Sequence, residues 1–324
     1  MAKVLFYGAG VLGALTIHYL CAAGNDVTVV ARSSYEALKR DGVVVRHVLQ
    51  RKTTVDRPRV VREPDFDERY DAVFSVMQAQ QQLAVADALA AVNAPLVILI
   101  GNEIAPDGVE RKILSKAASP RRVLFGFQNS AGHREDGVAV CARTPVTEIV
   151  LGGLHGVANA EERALVEKLF DTRGCRLTWV ADMSAYYLCH MAEILPFGYL
   201  CYRLDCRMKD AKGADVRALM EASREAFQYL MCIGVKPMPP GEEQFYLGGA
   251  KTAGMRLLYR VICRTFLGKL MVSDHCGNAV TEMEQIDAAF ARLRRERPGA
   301  PMPAWDALRA AMPDWVELHR RWDH

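Results

Sequence analysis

The residues with the clearest chemical meaning are the glycines of a Gly-x-Gly-x-x-Gly pattern near the N-terminus. They are Gly8, Gly10 and Gly13, with Val11 and Leu12 between the last two. The pattern falls between a predicted strand and a predicted helix. There Gly8 allows a tight turn, Gly10 a close approach by a pyrophosphate, and Gly13 close packing of helix on strand. Because a helix N-terminus also supplies N–H donors, the whole segment, including Val11 and Leu12, predicts a dinucleotide-binding site.

The end of the next predicted strand indicates which dinucleotide is bound. An NAD-binding chain usually carries Asp or Glu at this point, to accept hydrogen bonds from the ribose 2′-hydroxyl. This chain instead has Arg32, followed by Ser33 and Ser34. A guanidinium pairs well with a 2′-phosphate, and the serine hydroxyls add hydrogen bonds. We therefore predict NADP(H) as the cofactor; the alternative is that Arg32 is a solvated residue after a strand.

Tyr187, His190 and Glu193 form a first group of candidates for proton transfer. Their spacing of i, i+3 and i+6 on a predicted helix places His190 next to each of the others. Tyr187 or His190 is the predicted proton donor, and Glu193 the residue that orients the histidine. The alternative is a buried helix whose polar groups are satisfied by the facing domain.

A second group is the polar segment after the predicted strand Val123–Phe127. Gln128 and Asn129 are candidates to hold a substrate carboxylate or amide, because ligands of such folds bind beyond the carboxyl ends of strands. His133 and Arg134, further along the same predicted loop, are interpreted as exposed loop residues.

A third group near the C-terminus offers candidate acid or anion-binding side chains. It comprises Ser273, His275, Asn278 and Glu282. His275 and Asn278 are three residues apart, which places them on one face of a helix. The alternative for the start of this group is a helix N-cap formed by Ser273 or Asp274. The acidic residues and histidines of the chain have no convincing metal-ligand spacing, so we predict no metal site.

Basic side chains recur at helical spacing shortly before this group, at Arg256, Arg260, Arg264 and Lys269. We interpret them as a solvated stripe on one helix face. If the stripe lines the substrate site instead, Lys251 or Arg256 is placed to pair with a carboxylate substrate.

The elements that must position these residues follow from the apolar pattern. Short apolar runs predict strands at Val4–Tyr7, Asp26–Ala31, Ala72–Val76, Leu96–Ile100, Val123–Phe127 and Thr147–Gly152, the first four being buried and parallel. Helical spacing predicts helices at Val11–Ala23, Gln82–Ala91, Ser184–Tyr202, Ala214–Ile233, Gly249–Leu270 and Ala279–Glu296. We predict an α/β protein with an N-terminal Rossmann domain, a doubly wound parallel sheet in residues 1–180. An all-helical substrate domain follows in residues 181–324.

Composition narrows the function classes. The 324 residues are 51% hydrophobic and 24% charged, as in an ordinary soluble globular protein, and the formal net charge of +3 argues against nucleic-acid binding. Neither a secretory signal nor an apolar run long enough for a membrane span is visible. The nine cysteines include no C-x-x-C pair, so we predict reduced thiols, no zinc site and a cytoplasmic location.

With these motifs placed, the chain resembles the ketopantoate reductase (2-dehydropantoate 2-reductase) family over essentially its whole length. The resemblance rests on residues 7–13, 27–32, 71–74 and 98–102, and on Pro196 in the first helix of the second domain. It implies NADPH-dependent reduction of the carbonyl group of a 2-keto acid in a cleft between two domains. It also implies a homodimer associated through the helical domain.

The resemblance also suggests roles for individual residues. It implies that Asn102, after the fourth strand, lies near the nicotinamide and the substrate. It implies that Ser273 contacts the substrate, and that Glu282 or Glu284 is the glutamate near the end of the substrate domain.

The chain departs from the family at the lysines and asparagines of the active site. Gln78 stands where a lysine normally follows the third strand, and Tyr187 stands at the position of the catalytic lysine. Met191 and Leu195 replace two asparagines of the same helix. Reduction of a ketone leaves an alkoxide oxygen that must receive a proton, which Gln78 does not supply at neutral pH. Tyr187 or Tyr186 is therefore a predicted replacement donor.

We therefore predict an NADPH-dependent reductase of a small carbonyl compound, a 2-keto acid or a relative of one. An imine-reducing, opine-type enzyme is the nearest alternative, because an imine requires less acid catalysis on oxygen. The alternative from another class is a non-catalytic NADP(H)-binding regulator.

Overall fold

The computed structural model describes residues 1–117 and 119–322. The chain divides into two compact units, Met1–Met183 and Ser184–His324, called here the N-terminal unit and the helical unit. None of the described helices is both long enough and apolar enough to cross a membrane.

Six of the twelve described strands of the N-terminal unit correspond to predicted apolar runs. Its described strands are β1 (Lys3–Tyr7), β2 (Asp26–Val30), β3 (Val43–His47), β4 (Lys52–Asp56), β5 (Arg59–Val61), β6 (Ala72–Val76), β7 (Leu96–Ile100), β8 (Arg122–Gln128), β9 (Ser130–Glu135), β10 (Val138–Arg143), β11 (Thr147–Gly152) and β12 (Cys175–Trp179). The six that correspond to predicted runs are β1, β2, β6, β7, β8 and β11. The helices of the unit are α1 (Val11–Ala22), α2 (Tyr35–Asp41), α3 (Ala79–Ala91), α4 (Pro106–Ser115) and α5 (Ala160–Leu169). All residues of β6 and β7 are buried, as expected for central strands of a sheet that is covered on both faces.

The main sheet has the strand order β12-β11-β8-β7-β6-β1-β2-β5. The strands from β8 to β5 are mutually parallel, β11 is antiparallel to β8, and β12 is parallel to β11. Strand order reverses beside β1, because β2 lies on one side of it and β6 on the other. Ligands of doubly wound sheets bind at such a switch point, beyond the carboxyl ends of the strands. The predicted Rossmann architecture is confirmed, and the glycine pattern lies at its switch point.

A second sheet, in the order β4-β3-β10-β9, packs against α1. The sequence analysis missed this sheet, and its interpretation of residues 127–134 as a loop was wrong. β8 continues to Gln128, and Ser130–Glu135 forms β9, which pairs antiparallel with β10. Polar residues such as Arg134 and Glu135 concealed the strand because they occupy its exposed end.

A buried histidine in the second sheet should make the protein sensitive to acid. His47 is 0% exposed; its Nδ1 accepts a hydrogen bond from Arg143 Nε at 2.8 Å, and its Nε2 lies 2.9 Å from Thr54 Oγ1. Burial and, secondarily, the Arg143 charge lower the pKa of His47 to about 3. The unfolded chain, with an ordinary histidine pKa near about 6.5, therefore binds a proton that the folded chain rejects.

We expect the free energy of unfolding to fall as the pH drops below about 6.5, by up to about 1.4 kcal/mol per pH unit for His47. Urea unfolding at several pH values between 7 and 5 should show a shallower decline for His47→Gln than for the parent chain. His155→Gln is the control, because the hydrogen bond to Asp107 raises the pKa of His155 and its loss should not flatten the decline. An unchanged decline in His47→Gln would contradict the expectation.

Apart from two single 3₁₀ turns, the described elements of the helical unit are α-helices and one π-helical turn. They are α6 (Met183–Arg203), α7 (Gly213–Cys232), α8 (Ala250–Arg264), α9 (Phe266–Gly268), the π-helical turn Lys269–Ser273, α10 (Asp274–Asn278), α11 (Val280–Glu296), α12 (Pro303–Ala310) and α13 (Trp315–Trp322). This confirms the predicted all-helical half. The predicted single helix Gly249–Leu270 was wrong in detail, because Thr265 adopts an extended conformation and ends α8.

Candidate functional site

In the glycine turn between β1 and α1, packing leaves no room for a side chain at two of the three glycines but leaves space at the third. Gly8 has φ +93°, and a Cβ atom there would lie 2.3 Å from the carbonyl oxygen of Val76. A Cβ atom on Gly13 would lie 1.7 Å from the carbonyl oxygen of Gly8. Beside Gly10, by contrast, no described protein atom lies within 4 Å of where the Cβ atom would be. The fold therefore requires glycine at positions 8 and 13, but leaves the space beside Gly10 open.

The N-terminus of α1 faces this open space with free donor capacity. Gly10 is the N-cap and provides no side-chain hydrogen bond to the helix, and the first turn carries no acidic side chain. The first N–H groups of a helix have no intrahelical acceptor, and the helix dipole favours an anion there. The open space, the first-turn N–H groups and the switch point together are the features that a pyrophosphate site requires.

A second feature of the same edge is an unsatisfied hydroxyl. Tyr7, the last residue of β1, is buried, and its hydroxyl group has no hydrogen-bond partner among the described residues. Burial raises the pKa of Tyr7 to about 12, and the nearby Arg32 opposes the shift. Buried hydroxyl groups usually have a hydrogen-bond partner. The unpartnered Tyr7 hydroxyl, near Arg32, therefore fits a polar ligand at the carboxyl end of β1.

The carboxyl ends of β2 and β5 bring two guanidinium groups to one edge of the sheet. Arg32 and Ser33 are exposed just beyond β2. The N–H of Ala31 donates to the carbonyl oxygen of Val61 at 2.9 Å, so Arg62 follows β5 directly opposite. The Arg62 guanidinium lies 4.2 Å from the centre of the Tyr35 ring. The sequence analysis missed Arg62 because it did not predict β5.

The carboxyl ends of β6 and β7 carry the next predicted site residues. Gln78 is the N-cap residue of α3, and its Oε1 accepts a hydrogen bond from Gln80 at 2.6 Å. Asn102 follows β7 by two residues and is partly buried. The adjacent Glu103, which the sequence analysis did not single out, is only 1% exposed. Glu103 therefore places a buried carboxyl group next to Asn102 in the chain.

Gln128 and Asn129, predicted as substrate contacts, have structural partners. Gln128 is 0% exposed; its Oε1 accepts from the Thr16 hydroxyl at 2.7 Å, and its Nε2 donates to the Ser130 hydroxyl at 2.8 Å. Asn129 donates to Glu148 at 2.9 Å. Gln128 therefore links α1 to β9 through hydrogen bonds, which explains a polar residue at this buried position.

Arg134 is exposed, as predicted, but it contacts the glycine turn. Its guanidinium donates to the backbone carbonyl of Ala9, inside the Gly-x-Gly-x-x-Gly segment, and to that of Gly137 at 2.7 Å. Strand β9 thus places a positive charge beside the proposed pyrophosphate position. The sequence analysis missed the pairing of β9 with β10 that places Arg134 here, although Asp136-Gly137 between the two strands is a typical signal of a two-residue hairpin turn.

In the helical unit, α6 carries the predicted proton-transfer residues. Tyr186 and Tyr187 are buried, and the Tyr186 ring stacks on His190 with centroids 6.3 Å apart. Burial, with a contribution from His275, lowers the pKa of His190 to about 3. The imidazole is therefore neutral at physiological pH, where it donates a hydrogen bond but is a poor acid.

Glu193 lies among other acidic and phenolic groups. Burial and the neighbouring Glu242 raise the pKa of Glu193 well above its ordinary value. Tyr246 also interacts with it, and the Tyr246 and Tyr259 hydroxyls are 2.6 Å apart. Like charges at close range favour a carboxyl group that keeps its proton. The surroundings of Glu193 therefore favour the protonated form of its carboxyl group.

The four candidates for substrate binding, the third predicted group, lie in two different places in the helical unit. His275 Nε2 lies 3.9 Å from Glu282 Oε2, and its charge influences His190. Ser273 and Asn278 instead line a cavity. Ser273 stands at the N-cap position of α10, as the alternative interpretation had it, but its side chain makes no capping hydrogen bond; its hydroxyl instead accepts a hydrogen bond from the Met208 N–H at 3.3 Å.

Of the remaining candidates, Lys251 donates to Gln244 at 2.6 Å and Arg256 is exposed. Arg264 and Lys269 line the same cavity as Ser273. Within residues 1–117 and 119–322, no group of three or more His, Cys, Asp or Glu side chains is arranged to hold a metal ion.

Comparisons with known proteins agree with this geometry. Residues 4–156 match the family model of ketopantoate reductase PanE/ApbA. No curated protein matches the sequence of the chain. Among solved structures, a PanE/ApbA family ketopantoate reductase from Ralstonia eutropha JMP134 superposes with a TM-score of 0.71 at 16% identity, over 99% of this chain and 100% of the other.

Two further structures have the same fold. A 2-dehydropantoate 2-reductase from Geobacter metallireducens GS-15 superposes with a TM-score of 0.69 at 16% identity, covering 95% of this chain and 98% of the other. A D-mandelate dehydrogenase, solved with NADH and anilino(oxo)acetate, superposes with a TM-score of 0.71 at 14% identity, covering 99% and 98%. Residues 4–156 therefore match the ketopantoate reductase PanE/ApbA family model, and the chain has the fold of these solved structures over nearly its whole length.

Proposed function

We propose that the chain is an NADPH-dependent reductase of a small carbonyl compound, in the first place a 2-keto acid. The observation that carries the proposal is the glycine turn at the switch point of the sheet, where the first turn of α1 carries no acidic side chain and the space beside Gly10 is open. The PanE/ApbA match and the D-mandelate dehydrogenase with its bound NADH support the same class of cofactor.

The residues present fit a nicotinamide dinucleotide. The first-turn N–H groups of α1, from Val11, Leu12 and Gly13, would hold the pyrophosphate. Arg32 and Ser33 would hold the 2′-phosphate at the end of β2. Gln78 and Asn102 would position the nicotinamide end, at the carboxyl ends of β6 and β7. When bound, the reduced nicotinamide supplies the hydride.

The protein must supply a proton, because the carbonyl oxygen becomes negative when the carbon receives the hydride. We propose Tyr187, His190 and Glu193 as the residues that hold and deliver it. The raised pKa of Glu193 favours this residue as the proton reservoir, whereas the lowered pKa of His190 makes the imidazole a hydrogen-bonding relay. The proposed orientation of His190 by Glu193 stays a prediction.

Substrate binding is proposed for Ser273, His275, Asn278 and Glu282. His275 and Glu282 form a pair beside His190, and Ser273 and Asn278 lie on the cavity wall. A homodimer associated through the helical unit and a cytoplasmic location stay predictions from the sequence.

The test is oxidation of NADPH and of NADH, followed at 340 nm, with ketopantoate and a panel of 2-keto acids, each with and without amines. We expect turnover with NADPH and a 2-keto acid alone. Turnover that requires an amine would instead identify the imine-reducing alternative, which the absent lysines at positions 78 and 187 favour. NADPH binding without any turnover would favour the regulator and overturn the proposal of a reductase.

Cofactor choice provides a sharper prediction. Replacing Arg32 with alanine should weaken NADPH binding by about tenfold or more, because a charge-assisted contact with a phosphate contributes roughly 1.5–3 kcal/mol. NADH binding should change by less than about threefold, because NADH has no 2′-phosphate. Fluorescence titration of both cofactors measures the two constants. Arg59→Ala is the matched control: Arg59 is exposed at the start of β5 and pairs with Glu68. Equal losses for NADPH and NADH in Arg32→Ala would contradict the assignment.

A further inference from the structure

A cavity in the helical unit lies among residues that carry predominantly positive charge. Its volume is about 660 Å³, within the range of roughly 300–1,000 Å³ typical of small-molecule sites. It is formed by the segment after α6, the break between α8 and α9, the π-helical turn with α10, and the end of α13. Its described lining includes Ser273 and Asn278, two of the residues proposed to bind substrate, but not Tyr187, His190 or Glu193, so it is a different place from the proposed proton-transfer residues.

The charges around the cavity are unbalanced. Four cationic side chains line it, Arg207, Lys209, Arg264 and Lys269, against the single carboxylate Asp274. Arg207 pairs with acidic neighbours outside the cavity lining, with Asp210 at 3.0 Å. The structure gives no ion pair to the other three cations in its described part. Cations that share a cavity repel one another, and a bound anion would relieve that repulsion.

The rest of the lining includes apolar surface and one polar donor. Met208 and Phe266 line the cavity, and Phe266 is 55% exposed although it is a large hydrophobic residue. The Trp322 ring lies against Gly277, within 3.3 Å of where a Cβ atom would be. The indole Nε1 of Trp322 is buried and has no hydrogen-bond partner in the described part of the chain. A ligand in the cavity could accept this hydrogen bond.

The local backbone is of a kind that often marks a functional site. The chain leaves α8 at Thr265 and continues through the π-helical turn Lys269–Ser273 before α10 begins. Arg264 at the end of α8 and Lys269 at the start of the π-helical turn lie on either side of this break, and both side chains line the cavity. π-helical turns are rare and are frequently found at functional sites.

We propose that this cavity binds a small organic anion: a phosphate or carboxylate group held by Lys209, Arg264 and Lys269, with an apolar body against Phe266 and Trp322. The inference does not depend on the proposed reductase activity, since binding can be measured without turnover. The cavity volume exceeds that of a single inorganic ion, which is why the expected ligand carries an organic part.

The test uses the full chain labelled with 5-fluorotryptophan, with the Trp322 signal assigned from Trp322→Phe. Phenyl phosphate, inorganic phosphate and benzoate are titrated separately. We expect the Trp322 signal to shift saturably with phenyl phosphate and less with inorganic phosphate. Tighter binding of phenyl phosphate than of benzoate identifies a phosphate ligand, and the reverse order identifies a carboxylate; both results support the proposal.

Matched variants locate the binding. The double variant Lys209→Gln/Lys269→Gln should bind phenyl phosphate at least about tenfold more weakly, as expected for the loss of charge-assisted contacts. Arg256→Gln removes one charge from an exposed position on α8 that does not line the cavity, and it should bind like the parent chain. Either a Trp322 signal that no probe moves, or equal affinity in the double variant and the parent chain, would overturn the proposal.

Discussion

Replacing Gly13 with alanine is expected to destabilise the N-terminal unit by more than about 4 kcal/mol, whereas Gly10→Ala should leave it folded. The difference follows from what each added methyl group would meet. At Gly13 it would lie 1.7 Å from the carbonyl oxygen of Gly8, and backbone at the start of α1 has no room to move away. At Gly10 it would enter open space, with a cost of about 1 kcal/mol or less for alanine at an N-cap.

Cofactor binding should show the opposite order of effects. The methyl group of Gly10→Ala would occupy the space through which the pyrophosphate approaches the helix N-terminus, so NADPH affinity should fall by at least about tenfold. Thermal unfolding and NADPH fluorescence titration measure the two properties separately. Gly108→Ala in α4 is the matched control, because its added methyl group also meets open space but lies away from the glycine turn. Undiminished NADPH affinity in Gly10→Ala would show that the open space is not a ligand site.

These glycines also show how much of the structure of the glycine turn can be predicted from local sequence. The pattern predicted that Gly8, Gly10 and Gly13 serve different purposes, and the structure confirms the close approaches at the first and third. Local spacing was sufficient here because the strand, turn and helix are consecutive in the chain. The buried strands around them were predictable for a similar reason, since a run with both faces buried is apolar at every position.

The pairing of β3 with β10 in the second sheet could not be predicted from local sequence. β3 and β10 pair in parallel although about ninety residues separate them, and Ala139 lies opposite Val45. Both strands are largely apolar and buried, but an apolar run does not indicate which distant strand it pairs with, and no short hairpin joins these two. The contact of Arg134 with the glycine turn depends on that sheet. It could not be predicted from local sequence, because the Arg134 side chain reaches a carbonyl 125 residues away.

The proton-transfer residues show a similar limit. Helical spacing correctly placed Tyr187, His190 and Glu193 on one helix. Their chemistry, however, is determined by residues distant in sequence, His275 beside the imidazole and Glu242 beside the carboxyl group. Spacing along one helix cannot reveal which of two neighbouring groups keeps a proton, because that depends on burial and on charges from other elements.

A buried carboxylate in the helical unit is the basis of the second large expected effect. Asp287 on α11 has a side chain only 4% exposed. It accepts hydrogen bonds from the Tyr199 hydroxyl at 2.6 Å, from Arg309 at 2.7 Å and 2.8 Å, and from the Trp315 indole at 3.1 Å. Three helices other than α11 thus donate to one carboxylate. Asp287 also holds the pKa of Arg309 above its ordinary value.

Replacing Asp287 with alanine should destabilise the protein by about 3 kcal/mol, because three donors lose their acceptor and one is a charged guanidinium. The partial exposure of Arg309 to water keeps the loss from being larger. Asp306→Ala is the matched control: Asp306 pairs with Arg294 at 2.6 Å but has a side chain 54% exposed, so its loss should cost less than about 1 kcal/mol. Urea unfolding of both variants, monitored by tryptophan fluorescence, gives the two values. Equal losses would mean that Asp287 is no more important than a surface ion pair, and that aromatic packing alone holds these helices together.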